Sequence, residues 1–251
     1  MTEIPWSAEE QYHRYSGDMT VTSFVLKIIA AVTMLIDHTG YILFPSMSIL
    51  RIIGRLSFPI YAFCIAEGFR YTKDKKKYFL RVFLLGLLCQ IVFFIVQKDI
   101  YLGILIVYSF SMILMFLIDI MKDQIKKNSE KGKKQYSAIA VLLLILSLTL
   151  GLFFFCRAVS VDYGFFGIML PVFVYVFDDL RLRKISFSVG LLLLCVYEWV
   201  FARYPLQLWA MMTIPLIIMY NGQRGPRGWK YFFYVFYPVH FAVLYLIDLI
   251  I

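Results

Sequence analysis

The sequence carries little charge for its length, which argues against a soluble globular protein. Only 16% of its residues are charged and 61% are hydrophobic, whereas soluble domains average about a quarter charged and about half apolar. Apolar runs of about 18 to 22 residues recur from Phe24 to the C-terminus, each long enough to cross a hydrocarbon layer of roughly 30 Å. We therefore expect an all-α, polytopic membrane protein with its apolar helices gathered into a bundle.

The sequence also lacks the cysteine spacing of a disulfide framework or a metal site. Its four cysteines each lie inside an apolar run, and no two of them form a CxxC pair. Free cysteines of this kind usually pack in an apolar interior. We expect no metal cofactor.

The N-terminus lacks the pattern of a cleaved signal peptide, since acidic residues are scattered through it and no apolar core follows a basic start. The lead-in over residues 1–23 contains Trp6, Tyr12 and Tyr15, and aromatic rings of this kind favour the headgroup region. We predict a cytoplasmic or interfacial lead-in over 1–23 and a single transmembrane domain over 24–251.

We predict about nine membrane-spanning helices from the apolar runs. They cover roughly residues 24–44, 50–69, 79–97, 100–121, 136–156, 163–180, 185–202, 205–220 and 231–250. The third and fourth of these spans, and the seventh and eighth, could instead form tight hairpins.

The positive residues alternate between loops, which explains the net charge of +9 without a nucleic-acid partner. The basic loops are residues 70–78, 122–135, 181–184 and 224–230. By the positive-inside rule these loops are cytoplasmic, so the N-terminus lies inside and the lipid bilayer is the main partner. The loop over 122–135 is polar and contains Gly132, and it is predicted to be a flexible linker.

Ionisable residues within membrane spans are costly, so they are functional candidates. The first span contains Asp37 and His38, and the second contains Arg55. A short connection forces these spans to pack antiparallel, which predicts an Asp37–Arg55 ion pair. His38 lies about 100° further round its helix and needs another partner. Pro59 is expected to bend the second span.

Other polar residues mark further candidate sites. Asp162 and Tyr163 open the sixth span, and His240 lies near the middle of the last. The glycine-rich turn over residues 220–228 contains Asn221, Arg224 and Arg227 and could bind an anion, although it could equally be an ordinary basic turn between two spans.

Five segments in this order resemble the TraX family of conjugation-associated membrane proteins. They are LKIIAAVTMLIDHTG, LRIIGRLSFPIYAFCIAEGFRYT, YFLRVFLLGLLCQ, VDYGFFGIMLPVFVY and YNGQRGPRGWKYFFYVFYPVH, and they run from Leu26 to His240. The ordered combination of DH, GRxxFP, DYG, YNGxRG and FYxxYPxH is far more specific than any single motif. The stretch from Ile91 to Ser160 matches by span order alone.

The resemblance implies a bacterial plasma-membrane acetyltransferase, since the founding member of the family acetylates the N-terminus of a pilin. Acetyl-CoA would be the donor, and a pilin-like peptide, a glycan or a lipid at the outer face would be the acceptor.

Such a transfer needs a base, for which His38 is the candidate, because histidine changes charge near neutral pH. Arg55 and Tyr163 could stabilise the oxyanion, and Asp37 or Asp162 could orient the imidazole. His240 is a further catalytic candidate.

The phosphates of CoA would lie near Asn221, Arg224 and Arg227 and could also reach Arg70 or Lys73. An acetyl-histidine intermediate remains open.

Two other classes of protein also remain open. A transporter or flippase would line its substrate path with the same intramembrane charges. It would not be of the inverted-repeat type, because the sequence shows no internal repeat and no matching pair of broken spans. A membrane scaffold would tolerate apolar residues in place of Asp37, His38 and Arg55.

Overall fold

The computed structural model describes residues 21–98, 101–132, 135–226 and 228–250. The predicted lead-in up to residue 20, and Arg227 in the glycine-rich turn, lie outside the described residues. The described backbone is predominantly helical, which confirms the all-α class.

The helices follow the predicted spans in chain order. They are α1 (Ser23–Ile42), α2 (Ser48–Gly54), α3 (Ser57–Tyr71), α4 (Lys75–Gln97), α5 (Ile104–Glu130), α6 (Tyr136–Ala158), α7 (Gly164–Val176), α8 (Leu180–Val200), a 3-10 helix (Pro205–Met212), α9 (Thr213–Ile218) and α10 (Lys230–Ile250). Two strands of two residues, β1 (Tyr101–Leu102) and β2 (Ser160–Val161), pair in parallel and were not predicted.

Six helical segments of the described chain are long and apolar enough to cross a membrane. They are Ser23–Ile42, Ser48–Tyr71, Lys75–Ile95, Ile104–Glu130, Tyr136–Ala158 and Tyr231–Ile250. The apolar segments Gly164–Val176 and Pro205–Ile218 are shorter, and α8 carries charged residues towards both of its ends. A multi-pass helical protein is therefore supported, while the number of nine spans stays a prediction.

The second predicted span is broken between α2 and α3, at Arg55 and Leu56. Pro59 explains the break, because its ring has no N–H for the carbonyl of Arg55 and clashes with that carbonyl in a regular helix. The helix is thus interrupted four residues before the proline, while the bend itself stays a prediction.

The loop predicted over residues 122–135 is shorter in the structure, because α5 continues to Glu130. The extra turns contain lysine, glutamine and glutamate, which favour a helix. The prediction of a flexible linker was wrong for the residues up to Glu130.

The chain forms two compact units, which we call the terminal unit (residues 1–60 and 212–251) and the central unit (residues 61–211). This division does not test the prediction of a single transmembrane domain over residues 24–251, which stays a prediction. In the terminal unit, α1 packs against α2 and α10. Small and apolar residues such as Leu26, Ala30 and Met34 are buried on α1, which allows the neighbouring helices to approach closely.

The two ends of the terminal unit are tied together by backbone hydrogen bonds. Val21 and Tyr220 form a parallel bridge. Further along, the Ser23 N–H donates to the Gln223 carbonyl at 2.8 Å and the Phe24 N–H donates to the Arg224 carbonyl at 3.1 Å. The glycine-rich turn is therefore held beside the first turn of α1.

In the central unit, α5 packs against α4, α6 and α7, and α7 packs against α8. Its interior contains aromatic pairs in edge-to-face contact, among them Phe63 with Phe187 and Phe69 with Tyr175. Most of the α6 surface is exposed although the helix is strongly apolar, a pattern that suits lipid rather than water as its surroundings.

Candidate functional site

Four of the six residues predicted to be catalytic lie in the terminal unit, on three of its elements. Asp37 and His38 occupy the last two turns of α1, Arg55 follows α2, and His240 is the central residue of α10. Asp37, Arg55 and His240 are buried, with 8%, 5% and 5% of their surfaces exposed. These polar groups therefore depend on one another for partners.

The Asp37 carboxylate is held by two arginines. Arg55 Nη2 donates to Oδ1 at 2.7 Å, and Arg51 Nη1 donates to Oδ2 at 2.8 Å. Arg51 also donates to the Asp37 carbonyl at 3.2 Å, and its guanidinium lies 5.2 Å from the centre of the Tyr41 ring. The predicted Asp37–Arg55 ion pair is confirmed. Arg51 was missed as a site residue, although its position four residues before Arg55 places the two arginines on one side of a helix.

Gly54 makes room for this cluster. A Cβ atom at residue 54 would overlap the Asp37 carboxylate. Only glycine therefore lets α1 and α2 approach closely enough for the carboxylate to reach both guanidinium groups. The glycine of the GRxxFP motif thus has a packing role that the sequence alone did not indicate.

His38 is paired with His240. His38 Nδ1 lies 2.7 Å from His240 Nε2, and the two rings are stacked with their centres 4.9 Å apart. Nδ1 of His240 lies 2.7 Å from the carbonyl oxygen of Phe236. The ring of Phe241 covers His38, with 4.1 Å between ring centres. The different partner expected for His38 is therefore the histidine of α10.

Arg51 and Arg55, which together we call the arginine clamp, hold the carboxylate of Asp37. The two oxygens of Asp37 accept hydrogen bonds from Arg51 and Arg55, whereas His38 contacts His240 through its ring nitrogen. The orienting role suggested for Asp37 stays a prediction. Arg55 also donates from Nε to the Arg51 carbonyl at 3.2 Å, so its role as an oxyanion donor stays a prediction.

Asp162 and Tyr163 belong to the central unit. Tyr101 donates its hydroxyl hydrogen to Asp162 Oδ1 at 2.9 Å, and the Asp162 N–H donates to the Leu102 carbonyl at 2.9 Å. Tyr163 adopts a left-handed conformation with φ of 56° at the start of α7. Both residues shape the junction between β2 and α7, and their catalytic roles stay predictions.

In the glycine-rich turn, the backbone at Gly225 lies close to Thr22. Gly225 has φ of 77°, and a Cβ atom there would come within 2.7 Å of Thr22 Oγ1. Asn221 Oδ1 accepts from the Gln223 N–H at 2.9 Å, so its side chain stabilises the turn. Arg224 is exposed. The proposed role of Arg227 concerns a residue outside the described part of the chain.

Arg70 is engaged with protein partners in the central unit. Its guanidinium donates to Asp178 Oδ1 at 2.6 Å and to the carbonyls of Tyr175 and Phe177 at 2.6 and 2.7 Å. Hydrogen bonds from Lys122 and Arg70 hold the pKa of the Asp178 carboxyl below its usual range. A phosphate would have to displace these partners of Arg70, whereas Lys73 is exposed.

Among residues 21–98, 101–132, 135–226 and 228–250, no group of three or more His, Cys, Asp or Glu side chains is placed to hold a metal ion.

The helices and the buried polar cluster define a multi-pass helical membrane protein with a paired-histidine site in one of its units. The model of the family described as TraX protein matches residues 23–248. The chain belongs to this family.

Two curated proteins are similar to the chain. It is 27% identical over 254 residues to the probable fimbrial assembly protein FimC, serogroup H1, of Dichelobacter nodosus, and the alignment covers 91% of the chain and 96% of that protein. It is 37% identical over 95 residues to the uncharacterised protein RP591 of Rickettsia prowazekii (strain Madrid E), covering 34% of the chain and 36% of that protein. No solved structure shows significant similarity.

Proposed function

We propose that the protein is a transmembrane acetyltransferase, which moves the acetyl group of cytosolic acetyl-CoA to an amine or hydroxyl group at the outer face. The observation that carries the proposal is the contact between His38 and His240, inside apolar helices and beside the arginine-bound Asp37. Acetyl transfer from a thioester needs a base at the attacking group, and histidine most often supplies it. A pair of imidazoles in an apolar bundle is otherwise costly to maintain.

The acceptor we favour is the N-terminal amine of a pilin-like peptide. Membership in the TraX family supports it, and so does the name of the relative from Dichelobacter nodosus, which is a probable fimbrial assembly protein. A hydroxyl group of a glycan or a lipid would be attacked by the same chemistry, and the acceptor fraction that becomes acetylated distinguishes these cases.

The donor would bind with its phosphates at the glycine-rich turn. This turn is tied to the first turn of α1 through the hydrogen bond from Phe24 to Arg224. His38 lies fourteen residues beyond Phe24 on the same helix, which corresponds to about 21 Å at the rise per residue of an α-helix. An extended phosphopantetheine arm has a comparable length, so phosphates at Arg224 and a thioester at His38 are compatible. Asn221 and Arg227 are additional donors for the phosphates.

The orientation follows from the distribution of basic residues. If the basic loops are cytoplasmic, the glycine-rich turn faces the cytosol and His38 lies in the outer half of the membrane. The acetyl group would then enter from the side where acetyl-CoA is available and leave on the side where the acceptor is presented. The protein would be located in the bacterial plasma membrane with its N-terminus inside.

Calorimetric titration of the purified protein with acetyl-CoA tests the donor and its site. We expect saturable binding that is weakened when Arg224 and Arg227 are both changed to alanine, because two charge-assisted contacts to phosphate are lost. The control is the double change of Lys126 and Lys127 to alanine, which removes the same charge from another basic segment. This control should bind as the wild type does.

Two results would count against the proposal. Equal weakening in both double variants would indicate a general electrostatic effect rather than a site at the glycine-rich turn. No binding at millimolar acetyl-CoA would favour a transporter or flippase, which would move substrate without consuming acetyl-CoA.

A further inference from the structure

The hydrogen-bonding pattern around the two histidines determines which ring nitrogens carry protons. His240 Nδ1 lies 2.7 Å from the carbonyl oxygen of Phe236. A carbonyl oxygen can only accept a hydrogen bond, so Nδ1 of His240 must be the protonated donor. In a neutral imidazole the second nitrogen is then an acceptor, and this is the Nε2 atom that faces His38.

His38 is constrained by its contact with His240. Its Nδ1 atom lies 2.7 Å from Nε2 of His240. Because Nε2 of His240 accepts, Nδ1 of His38 donates and carries the proton of that ring. The remaining nitrogen, Nε2 of His38, is therefore unprotonated and has a lone pair available for a proton. The result is a directed chain of hydrogen bonds from His38 through His240 to the Phe236 carbonyl.

The position of His240 in this chain resembles that of the carboxylate in a catalytic triad, which holds the base in one tautomer and one orientation. Asp37, the carboxylate nearest to His38 in sequence, cannot orient His38 without leaving Arg51 and Arg55, because each of its oxygens accepts a hydrogen bond from one of these arginines. A second imidazole performs the orienting role without adding a further charge to the apolar interior, where charge is costly.

The rings around the pair restrict its movement. The Phe236 ring is stacked on His240 with 5.0 Å between centres, and Phe241 lies against both histidines. Only 5% of the His240 surface is exposed. Rotation of its ring would therefore break a hydrogen bond and disturb close packing. The tautomer of His38 is therefore fixed by the fold.

We propose that His240 is a positioning residue that holds His38 as the Nδ1–H tautomer, so that Nε2 of His38 is the base of the acetyl transfer. This inference rests on the proposed acetyltransferase function. It assigns a role to a contact between α1 and α10 and identifies the single reacting atom of His38.

The step conserves atoms and charge. The amine nitrogen of the acceptor forms a bond to the carbonyl carbon of acetyl-CoA, and its proton passes to Nε2 of His38. The C–S bond then breaks, the CoA thiolate leaves, and the proton on Nε2 passes to that sulfur. While His38 is positively charged, its Nδ1–H donates to Nε2 of His240, which stabilises the charge. Both histidines return to their neutral starting forms.

Nitrogen NMR of protein labelled with ¹⁵N-histidine tests the tautomers directly. The chain has three histidines, so the His13→Asn variant leaves signals from His38 and His240 alone. Two-bond couplings to the ring protons distinguish the two neutral tautomers. We expect both rings to be Nδ1–H tautomers, and an Nε2–H tautomer at His38 would overturn the inference.

Two variants of His240 separate a hydrogen-bonding role from a packing role. His240→Phe keeps a ring of similar size but removes the acceptor, whereas His240→Gln places an amide oxygen close to the former Nε2 position. We expect His240→Phe to lower kcat by roughly 10- to 100-fold, the range seen for groups that orient metal-bound histidines, with little change in KM for acetyl-CoA. His240→Gln should recover most of this loss and keep the tautomer of His38. Equal activity of the two variants would contradict the inference.

The two measurements distinguish failure of this inference from failure of the proposed function. If the wild type transfers acetyl groups with His38 in the Nε2–H form, the positioning role of His240 is overturned, while the proposed acetyltransferase function stands. No transfer of labelled acetyl from acetyl-CoA in membrane vesicles would overturn the acetyltransferase and, with it, the role of His38 as base, even if the tautomers are as expected.

Discussion

The two units of the protein bury charge in different ways. In the central unit, Glu67 and Arg183 are 3% and 4% exposed and form an ion pair with each other. In the terminal unit, one carboxylate, Asp37, binds two guanidinium groups and is followed directly by His38. The central pair neutralises itself, which suits a structural contact between helices. The terminal cluster carries an excess positive charge next to an imidazole pair, an arrangement that suits chemistry on a developing anion.

The strongest way to test this difference is to remove one carboxylate from each unit. Asp37→Asn leaves the buried guanidinium of Arg55 and the half-buried guanidinium of Arg51 without their counter-charge, and removing one partner of a buried pair costs about 3–5 kcal/mol. Glu67→Gln leaves Arg183 in the same situation and should cost a similar amount. Unfolding of both variants in detergent gives the two free energies. Full stability of Asp37→Asn would contradict the account of the arginine clamp.

Asp37→Asn and Glu67→Gln should lose similar stability but differ in activity. Acetyl transfer per folded molecule is expected to fall in Asp37→Asn, because the α1 turn that carries His38 loses its anchor. It should be unchanged in Glu67→Gln. A loss of activity in both variants, in proportion to their unfolding, would remove the functional distinction between the two units.

A triple replacement separates stability from function within the terminal unit. Changing Asp37 to Leu with Arg51 and Arg55 to Met replaces the ion cluster by apolar side chains, which is often neutral or stabilising by about 1–4 kcal/mol. We expect this variant to fold and to lose acetyl transfer. Retention of biological function together with loss of all three charges would support a membrane scaffold instead.

Two glycines provide a smaller and sharper comparison. Gly54→Ala places a methyl group against the Asp37 carboxylate, and overpacking of this kind typically costs about 1–3 kcal/mol. Gly151, in α6, has no atom within 4 Å of an added Cβ among the described residues. Gly151→Ala should therefore be neutral or stabilising by about 0.5–1 kcal/mol. Equal effects in unfolding experiments would show that Gly54 does not control the approach of α1 and α2.

The smallest effect is expected at Asp178, between α7 and α8. Its side chain is 74% exposed, and exposed ion pairs contribute about 0.2–1 kcal/mol. Its hydrogen bonds from Lys122 and Arg70 lower its pKa, so this contribution is present above the unfolded-state pKa and is lost as the pH falls through the folded-state value. The stabilities of the wild type and Asp178→Asn should converge at acidic pH. A constant difference at all pH values would assign the effect to another cause.

The sequence predicted those features that depend on local patterns. Apolar runs marked the helices, and the short connection after the first span brought Arg55 to Asp37. The helical angle between Asp37 and His38 correctly indicated different partners. His240 could not be assigned as the partner of His38, because the two residues are 202 positions apart and periodicity carries no information over that distance. The role of Gly54 also required the packing of two helices to be known.

Two other differences have local physical causes. The extension of α5 to Glu130 reflects the helix propensity of residues that a hydropathy pattern interprets as loop. The pairing of β1 with β2 involves two residues from each strand, too few to produce an alternating pattern in sequence. Both features lie in the central unit, where the sequence motifs are sparse between Ile91 and Ser160.

Whether the protein transfers acetyl groups with His38 as the base is tested in membrane vesicles that contain equal amounts of the wild type or the His38→Ala variant. Acetyl-CoA labelled in its acetyl group is supplied on the side of the basic loops, and label is measured in peptide, glycan and lipid fractions. We expect transfer by the wild type, chiefly to the peptide fraction, and a loss on the order of 10²- to 10⁴-fold in the variant. Undiminished transfer by His38→Ala, or none by the wild type, would contradict it.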